Sequence, residues 1–202
     1  MPIQSRITQG RKFDQVRTGA AEIFLRDGFS GASVDDIARS ARVSKATLYS
    51  YFPDKRLMFR EVLRSTLDTA FQQPPFDPDQ SGPASEALAQ VMTDLSHWLL
   101  TEPRLHLHRV IIAEGSRFPE DALTYDSTMT ARIVTPLALL IDSWIAAGEI
   151  RAHDSTMSAR QLLGLLIGQL QHRALLDTTD PSPDEVQATA GATASLFLAA
   201  YN

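Results

Sequence analysis

The sequence predicts an all-α fold of about nine helices. Along most of the chain, apolar residues recur at the three- and four-residue spacing that places them on one face of a helix. No segment of useful length alternates apolar and polar residues as a half-buried strand does. Proline and glycine divide the chain into pieces of helical length, most clearly after Gln73, where Pro74, Pro75 and Pro78 end any helix.

The first helix is expected from Thr8 to Asp27, with Gly28 as its C-terminal stop. A long helix is expected from Pro53 towards Gln73, and further helices are expected beyond the proline-rich boundary, at about 84–101, 103–117, 119–147, 156–178 and 183–201. In the first helix the apolar residues share one face, which we expect to be buried: Phe13, Val16, Ala20, Ile23 and Phe24.

The composition excludes several classes of protein. Of the 202 residues, 44% are apolar and 21% are charged, values that exclude a disordered chain. The lack of cysteine excludes a disulfide scaffold, thiolate metal sites and cysteine nucleophiles. The N-terminal residues show no apolar run typical of a secretory signal, and the longest uncharged stretch, 186–202, is too polar for a membrane span. We therefore expect a soluble, cytoplasmic protein that does not bind membranes.

The charges are unevenly distributed along the chain. Residues 1–64 carry 12 basic and 7 acidic side chains, whereas 65–202 carry 7 basic and 17 acidic ones. A basic N-terminal part favours an anionic partner such as nucleic acid, although short segments also fluctuate in charge by chance.

Two short segments between the first helix and the long helix form a helix-turn-helix candidate. Ser33 is predicted to cap a helix over 33–41, and Ser44 a helix over 44–52, with 41–43 as the turn. Leu48 is the expected inward anchor of the second helix. The outer faces of that helix then carry small or hydrogen-bonding residues that suit base edges and phosphates in a major groove: Lys45, Ala46, Thr47, Tyr49 and Ser50. Helical hairpins are also common in all-α cores, so the pattern alone does not decide the function.

Two of the three lysines occupy electrostatically unfavourable positions. Lys45 lies in the first turn of the second short helix, and Lys55 lies beside Arg56 in the first turn of the long helix. A cation there costs about 0.3–1 kcal/mol, because the helix N-terminus is itself partly positive. A phosphate would reverse this effect, because backbone N–H groups, helix dipole and ammonium would then all face one anion. We therefore predict phosphate contacts at these positions, although solvent screening would also allow the lysines to be tolerated without any ligand.

The stretch 33–59, SVDDIARSARVSKATLYSYFPDKRLMF, resembles the DNA-binding segment of TetR/AcrR-type transcriptional regulators. The resemblance begins near Phe13 and is most specific over 43–52 and at Asp54-Lys55. It implies an N-terminal three-helix helix-turn-helix DNA-binding domain, 1–56, joined by a long helix to an effector-binding and dimerisation domain, 57–202. With the outer-face positions named above, the candidate DNA-binding residues are Ser33, Arg42, Ser44, Lys45, Ala46, Thr47, Tyr49, Ser50, Tyr51 and Lys55.

The sequence departs from that family at two positions where glycine is usual. If the turn requires a positive φ at Arg42, arginine carries a strain that glycine would avoid. A different turn geometry, or a phosphate contact made by Arg42, is the alternative. At the second position Ala46 favours the helix and presents a methyl group suited to thymine.

The acidic part of the chain, residues 65–202, resembles the C-terminal domain of the AefR-like subgroup over Arg109–Glu120. This resemblance implies dimerisation and effector binding in that part. Independently, 161–176 is apolar almost all round, and Gly164 and Gly168 would let another helix approach closely. We expect a homodimer whose symmetry matches a palindromic operator. The alternative is burial of these helices in a larger monomeric core. The candidate interface residues are Leu163, Gly164, Ile167, Gly168 and Phe197.

An effector pocket is expected among the helices of the acidic part, for an unknown and largely apolar small molecule. Pro136 falls inside one of these helices and should kink it. No histidine pair has the i, i+4 spacing of a zinc site, so we expect neither a metal nor a cofactor. The candidate pocket residues, of which the polar ones are alternatively exposed or structurally bonded, are Trp98, Glu114, Phe118, Tyr125, Trp144 and His172.

Taken together, these features predict a one-component, ligand-responsive transcriptional regulator, most simply a repressor released from a palindromic operator by a small molecule. The sequence contains no glycine-rich phosphate loop, nucleophile elbow or convincing carboxylate pair, so we do not expect an enzyme. The alternatives are a helical enzyme with a site assembled across helices, and a helical interaction module without sequence-specific DNA binding.

Overall fold

A computed structural model describes residues 10–78, 80, 82–176 and 180–202. These residues form nine helices and no strand, which confirms the all-α prediction. The helices are α1 (Arg11–Gly31), α2 (Val34–Ser40), α3 (Lys45–Tyr51), α4 (Lys55–Ala70), α5 (Ala84–Leu99), α6 (Glu102–Glu114), α7 (Pro119–Ala146), α8 (Ser155–Leu166, Ile167–Gln171 and His172–Leu175 in succession) and α9 (Pro183–Tyr201).

Two helices are interrupted by π turns. In α7 the π turn is Thr130–Val134, directly before the segment that contains Pro136. Proline lacks the N–H that would bond to the carbonyl four residues earlier, and a wider turn accommodates that loss. The irregularity predicted at Pro136 therefore takes the form of a π turn. The π turn of α8, Ile167–Gln171, contains one of the two glycines expected at a helix-helix contact.

Helix α1 is broken at the predicted stop. Gly28 has φ of 69° and ψ of −179°, a conformation that residues with a Cβ rarely adopt. A single further turn ends at Gly31, and the chain then enters α2 through Ser33.

The chain forms two compact units. The first comprises the described residues up to Thr69 together with the segment His106–Leu123. The second comprises Ala70–Leu105 and Thr124–Asn202, as far as they are described. The segment His106–Leu123 therefore packs with residues far earlier in the chain.

The first unit is built around aromatic side chains. The predicted inward face of α1 is buried, and so are Leu48 of α3 and Phe52 directly after that helix. Phe59 of α4 lies 5.1 Å from Phe24 and 4.7 Å from Phe118, measured between ring centres. Phe118 belongs to the segment His106–Leu123, so this cluster ties that segment to the helix-turn-helix region.

The second unit has a mainly aliphatic core. Helix α5 packs along α9, and α8 packs against both α9 and the second half of α7. The buried side chains include Leu88, Val91, Leu95, Leu137, Ile141, Trp144, Leu162, Leu166, Val186, Ala190 and Phe197.

Helix α7 is long and apolar enough to cross a membrane by length and composition alone. This is weak evidence for a membrane segment, because the core helix of a folded domain meets the same criterion. Ile133, Leu137 and Ile141 of this helix are fully buried.

Candidate nucleic-acid interface

Two serine caps define the helix-turn-helix. The Ser33 Oγ accepts hydrogen bonds from the N–H groups of Asp35 (3.1 Å) and Asp36 (3.2 Å) at the start of α2. The Ser44 Oγ accepts one from the N–H of Thr47 (3.1 Å) at the start of α3. Both predicted caps are confirmed. Each satisfies backbone donors that a helix leaves unpaired at its N-terminus.

The turn between α2 and α3 is left-handed at Arg42. Its φ is 53°, the only positive value at a non-glycine residue among those described. The N–H of Val43 bonds to the carbonyl of Ala38 and that of Arg42 to Arg39, which is the Schellman pattern of a helix C-terminus. Such an end normally places glycine at this position, so Arg42 carries the strain that the sequence raised as one possibility.

Helix α1 holds this turn by a close backbone approach. A Cβ added at Gly19 would lie 2.5 Å from the backbone nitrogen of Ala41, too close for any side chain. The Gln15 Nε2 donates a hydrogen bond of 2.7 Å to the carbonyl oxygen of Ala41. The sequence reading missed Gly19. A glycine inside a helical pattern, between Val16 and Ala20 on the buried face, was the available signal.

Helix α3 is anchored by a buried leucine and presents an exposed outer face. Leu48 is fully buried, as predicted. Lys45, Ala46, Tyr49 and Ser50 are exposed around it. Thr47 is half-buried, and its Oγ1 lies 2.9 Å from the Ser44 Oγ. The outer face of α3 therefore presents small, hydrogen-bonding and cationic groups on a helix fixed from below.

Lys45 is held by an acidic residue of α2. Its Nζ lies 2.7 Å from the Asp35 Oδ1, and both side chains are more than half exposed. The hydrogen bond to Asp35 and the charge of that carboxylate raise the pKa of Lys45. Besides the dipole of α3, Lys45 therefore faces a counter-charge from the neighbouring helix, which residue spacing alone does not predict.

Lys55 and Tyr51 pack against aromatic rings of the first unit. The Lys55 Nζ lies 4.7 Å from the centre of the Phe29 ring. Burial lowers the pKa of Lys55, the charge of Glu114 opposes this effect and that of Arg117 reinforces it. Tyr51 is half-buried, edge-on to Phe13 with ring centres 6.0 Å apart.

The N-terminus of α4 already carries a side-chain acceptor. The Asp54 Oδ1 accepts a hydrogen bond of 2.8 Å from the N–H of Leu57. This carboxylate offsets part of the repulsion that the helix N-terminus exerts on Lys55 and Arg56. Arg56 stacks 4.8 Å above the Phe118 ring.

Comparison with known proteins places this arrangement in a family. The model described as bacterial regulatory proteins, tetR family, matches residues 17–62, which contain the helix-turn-helix. The model described as AefR-like transcriptional repressor, C-terminal domain, matches residues 86–202, more than half of the chain. The chain belongs to the TetR family of transcriptional regulators. Regulators of this family bind DNA operators and small-molecule effectors, usually as dimers.

Individual relatives share the helix-turn-helix or the whole fold. IcaR, a negative regulator of a biofilm operon in Staphylococcus aureus, is 31% identical over 55 residues, 27% of this chain and 30% of IcaR. The match therefore spans less than a third of that relative's length. The transcriptional regulator RutR of Escherichia coli K12 is 26% identical over 94% of this chain and 83% of its own.

Solved structures agree over nearly the full length. A TetR-family regulator from Mesorhizobium loti has a TM-score of 0.81 at 27% identity, covering 95% of this chain and 97% of its own. The flavonoid-responsive regulator FrrA has a TM-score of 0.74 at 31% identity, covering 96% and 98% respectively.

In this TetR-family chain, the effector-pocket candidates are divided between the two units. Trp98, Tyr125 and Trp144 belong to the second unit, and His172 is exposed on α8 of that unit. A surface cleft of about 290 Å³ in the second unit is lined by His97, Leu100 and Val186 among others, and by none of the six candidates. Glu114 and Phe118 belong to the first unit.

Glu114 performs a capping role within the first unit. Its Oε1 accepts hydrogen bonds from the N–H groups of Phe29 (2.9 Å) and Ser30 (3.4 Å), directly after the break at Gly28. Its Oε2 lies 3.3 Å from the Arg117 Nη1. The residue is 9% exposed. No local pattern predicts this contact, because the partners lie 85 residues apart.

The dimer candidates are partly buried and partly open. Leu163 and Phe197 lie in the core of the second unit, and Ile167 is half-buried. Gly164 and Gly168 are exposed, and a Cβ added at either would meet nothing within 4 Å. Space for an approaching helix is therefore present at both glycines. Among the described residues no group of three His, Cys, Asp or Glu side chains could hold a metal ion.

Proposed function

We propose that this chain is a one-component, ligand-responsive transcriptional regulator that binds a DNA operator through α2 and α3 and acts as a repressor. The observation that supports this most is the outer face of α3, which is polar and exposed around a fully buried Leu48. A helix anchored in this way can enter a major groove without rearrangement of the unit that carries it. We assign DNA binding to 1–56, and effector binding and dimerisation to 57–202.

The DNA-binding residues divide into two roles. We propose that Lys45, Ala46, Thr47 and Tyr49 approach base edges, with Lys45 also reaching a neighbouring phosphate, because they lie on the outer turns of α3 around the buried Leu48. The remaining candidates would contact the sugar-phosphate backbone and fix the register: Ser33, Arg42, Ser44, Ser50, Tyr51 and Lys55. Lys55 would have to leave the Phe29 ring or reach a phosphate from above it.

We propose that two copies bind a palindromic operator as a homodimer through the open surface at Gly164 and Gly168. A small effector bound in the second part of the chain would favour a spacing of the two DNA-binding domains that no longer fits the half-sites. A coupling free energy of about 1–3 kcal/mol suffices for such regulation. The name of FrrA, 31% identical, supports a planar aromatic effector. We expect the protein to act in the cytoplasm and to catalyse no reaction.

The test is selection of bound duplexes from a random pool by the full-length protein. We expect enrichment of one palindromic sequence. Thr47→Ala should change the recovered bases at defined positions, because a base-reading contact is lost. Arg151→Ala, which removes an exposed charge in the second unit, is the control and should recover the same sequence. A pool without enrichment at low salt would contradict the proposed function.

A further inference from the structure

Arg104 has an unusual environment in the second unit. It lies in the first turn of α6, and its guanidinium stacks 4.2 Å from the centre of the Trp98 ring. The Nη1 donates a hydrogen bond to the Thr101 Oγ1 and the Nη2 donates one to the carbonyl of Ala70, each 2.8 Å long. These contacts fix the plane of the guanidinium against the indole.

No carboxylate of the described residues forms an ion pair with Arg104. Burial lowers the pKa of Arg104, and no neighbouring charge contributes to the shift. Its position at a helix N-terminus adds further repulsion to the cation. A partly buried guanidinium without a counter-charge is unfavourable, so an anion brought to it would be stabilised.

Two buried donors on this stacked pair lack acceptors. The Trp98 Nε1 and the Arg104 Nε are both shielded from solvent, and neither has a hydrogen-bond partner. Buried donors are almost always paired in folded proteins, so two unpaired ones on adjacent side chains indicate an acceptor that is still to be bound.

The pair lies beside further aromatic side chains. The Phe71 ring is 5.0 Å from that of Trp98 and 6.4 Å from that of Tyr125, between centres. Burial raises the pKa of Tyr125 to about 12, which marks this region as poorly solvated. The aromatic rings of a ligand could stack on these side chains. Because the region is poorly solvated, an ion pair formed within it is also stronger than in water.

We propose that Trp98 and Arg104 bind the carboxylate of an effector whose body is aromatic. The two unpaired N–H groups match the two oxygens of a carboxylate, whereas a phosphate would bring three. This inference rests on the proposed effector-regulated function, because it names the chemical class of the ligand and two of the side chains that bind it.

The test compares three probes with one aromatic body: naphthoate, naphthamide and naphthyl phosphate. Titration calorimetry gives their affinities for the full-length protein. A change in tryptophan fluorescence on binding that is lost in Trp98→Phe, which retains only Trp144, reports binding at Trp98. We expect naphthoate to bind at least about tenfold more tightly than naphthamide, because its hydrogen bonds are charge-assisted. We expect naphthyl phosphate to bind more weakly than naphthoate.

Variants assign the preference to the stacked pair. Arg104→Gln should reduce the affinity for naphthoate to that for naphthamide, whereas Arg160→Gln, an exposed arginine of the same unit, should leave both unchanged. Trp98→Phe keeps an aromatic ring but removes one hydrogen-bond donor, so it should lower the affinity for naphthoate several-fold. Circular dichroism checks that each variant is folded.

Several results would overturn the proposal. They are equal binding of naphthoate and naphthamide, a preference for naphthoate that survives Arg104→Gln, tighter binding of naphthyl phosphate, or no saturable binding of naphthoate at millimolar concentration. The duplex selection does not involve this site. If an operator is enriched but the probes fail, only the proposal of a carboxylate site is refuted. If the probes bind as expected but no operator is enriched, the protein binds ligands and the proposed regulatory function is refuted.

Discussion

At the turn between α2 and α3, a single arginine occupies a backbone conformation that favours glycine. Arg42 has φ of 53° and is exposed, so its side chain gains no packing that would offset the strain. The strain persists because the Schellman hydrogen bonds and the contacts of Gly19 and Gln15 with Ala41 fix the turn from both sides.

Arg42→Gly should stabilise the protein by about 0.5–1 kcal/mol, because relief of the strain exceeds the entropic cost of glycine in the unfolded chain. The free energy of unfolding in urea measures the effect. Arg42→Ala is the control and should bring no gain, since alanine retains the Cβ. A glycine variant of unchanged or lower stability would show that the turn is not strained.

On the proposed DNA-binding surface, Asp35 would compete with a phosphate for Lys45. The carboxylate lies 2.7 Å from the Lys45 Nζ on the surface that we propose to face the operator. Asp35→Asn should therefore raise the affinity for any duplex several-fold and steepen the slope of log K against log salt by about one, because one more cation reaches a phosphate. Asp68→Asn, which breaks a similar exposed ion pair on α4, should change neither quantity. An unchanged slope for Asp35→Asn would mean that Lys45 contacts no phosphate.

At the scale of elements, the packing of α1 against the turn depends on the lack of a side chain at Gly19. Gly19→Ala should destabilise the protein by about 1–3 kcal/mol, because the new methyl group would overlap the backbone of Ala41, which cannot move aside cheaply. Thermal unfolding measures the loss. Gly31→Ala in the same helix is the matched control, since its Cβ would lie 3.5 Å from the nearest atom. Equal stability of the two variants would refute this close approach.

The break in α1 depends on a carboxylate from α6. Glu114→Ala should cost about 1–3 kcal/mol, because the N–H groups of Phe29 and Ser30 lose their acceptor in a partly buried place. Glu114→Gln keeps an oxygen at the same distance and should cost less. Urea unfolding of the two variants separates the lost hydrogen bonds from the lost charge. If alanine and glutamine prove equally destabilising, the cap is not what Glu114 contributes.

At the scale of the whole molecule, the second unit presents open glycines that a second copy would cover. Gly168→Asp should convert the proposed dimer to a monomer, because the proposed interface would then bury an unpaired carboxylate. Light scattering gives the mass directly. Ala152→Asp places the same charge on an exposed loop and should leave the mass unchanged. A Gly168→Asp protein that keeps the mass of two chains would place the interface elsewhere.

What the sequence determined by itself is local. Helical periodicity, the caps at Ser33 and Ser44, the break at Gly28 and the inward Leu48 all depend on residues within a few positions of one another. Such spacing acts directly on backbone hydrogen bonds and on which face is buried, so it can be predicted from residue order. The TetR-like segment was recognised for the same reason, because its motif is continuous.

The tertiary structure alone decided the contacts between distant segments. Three hydrogen bonds join residues far apart in the sequence: Glu114 and Phe29 are separated by 85 positions, Arg104 and Ala70 by 34, and Gln15 and Ala41 by 26. Lys45 gained a counter-charge and Lys55 an aromatic neighbour in the same way. The physical reason is that side-chain burial and ion pairing depend on how helices pack, and many packings satisfy the same periodicity. The helices follow from residue order, whereas the partners of each charged side chain follow from the packed core.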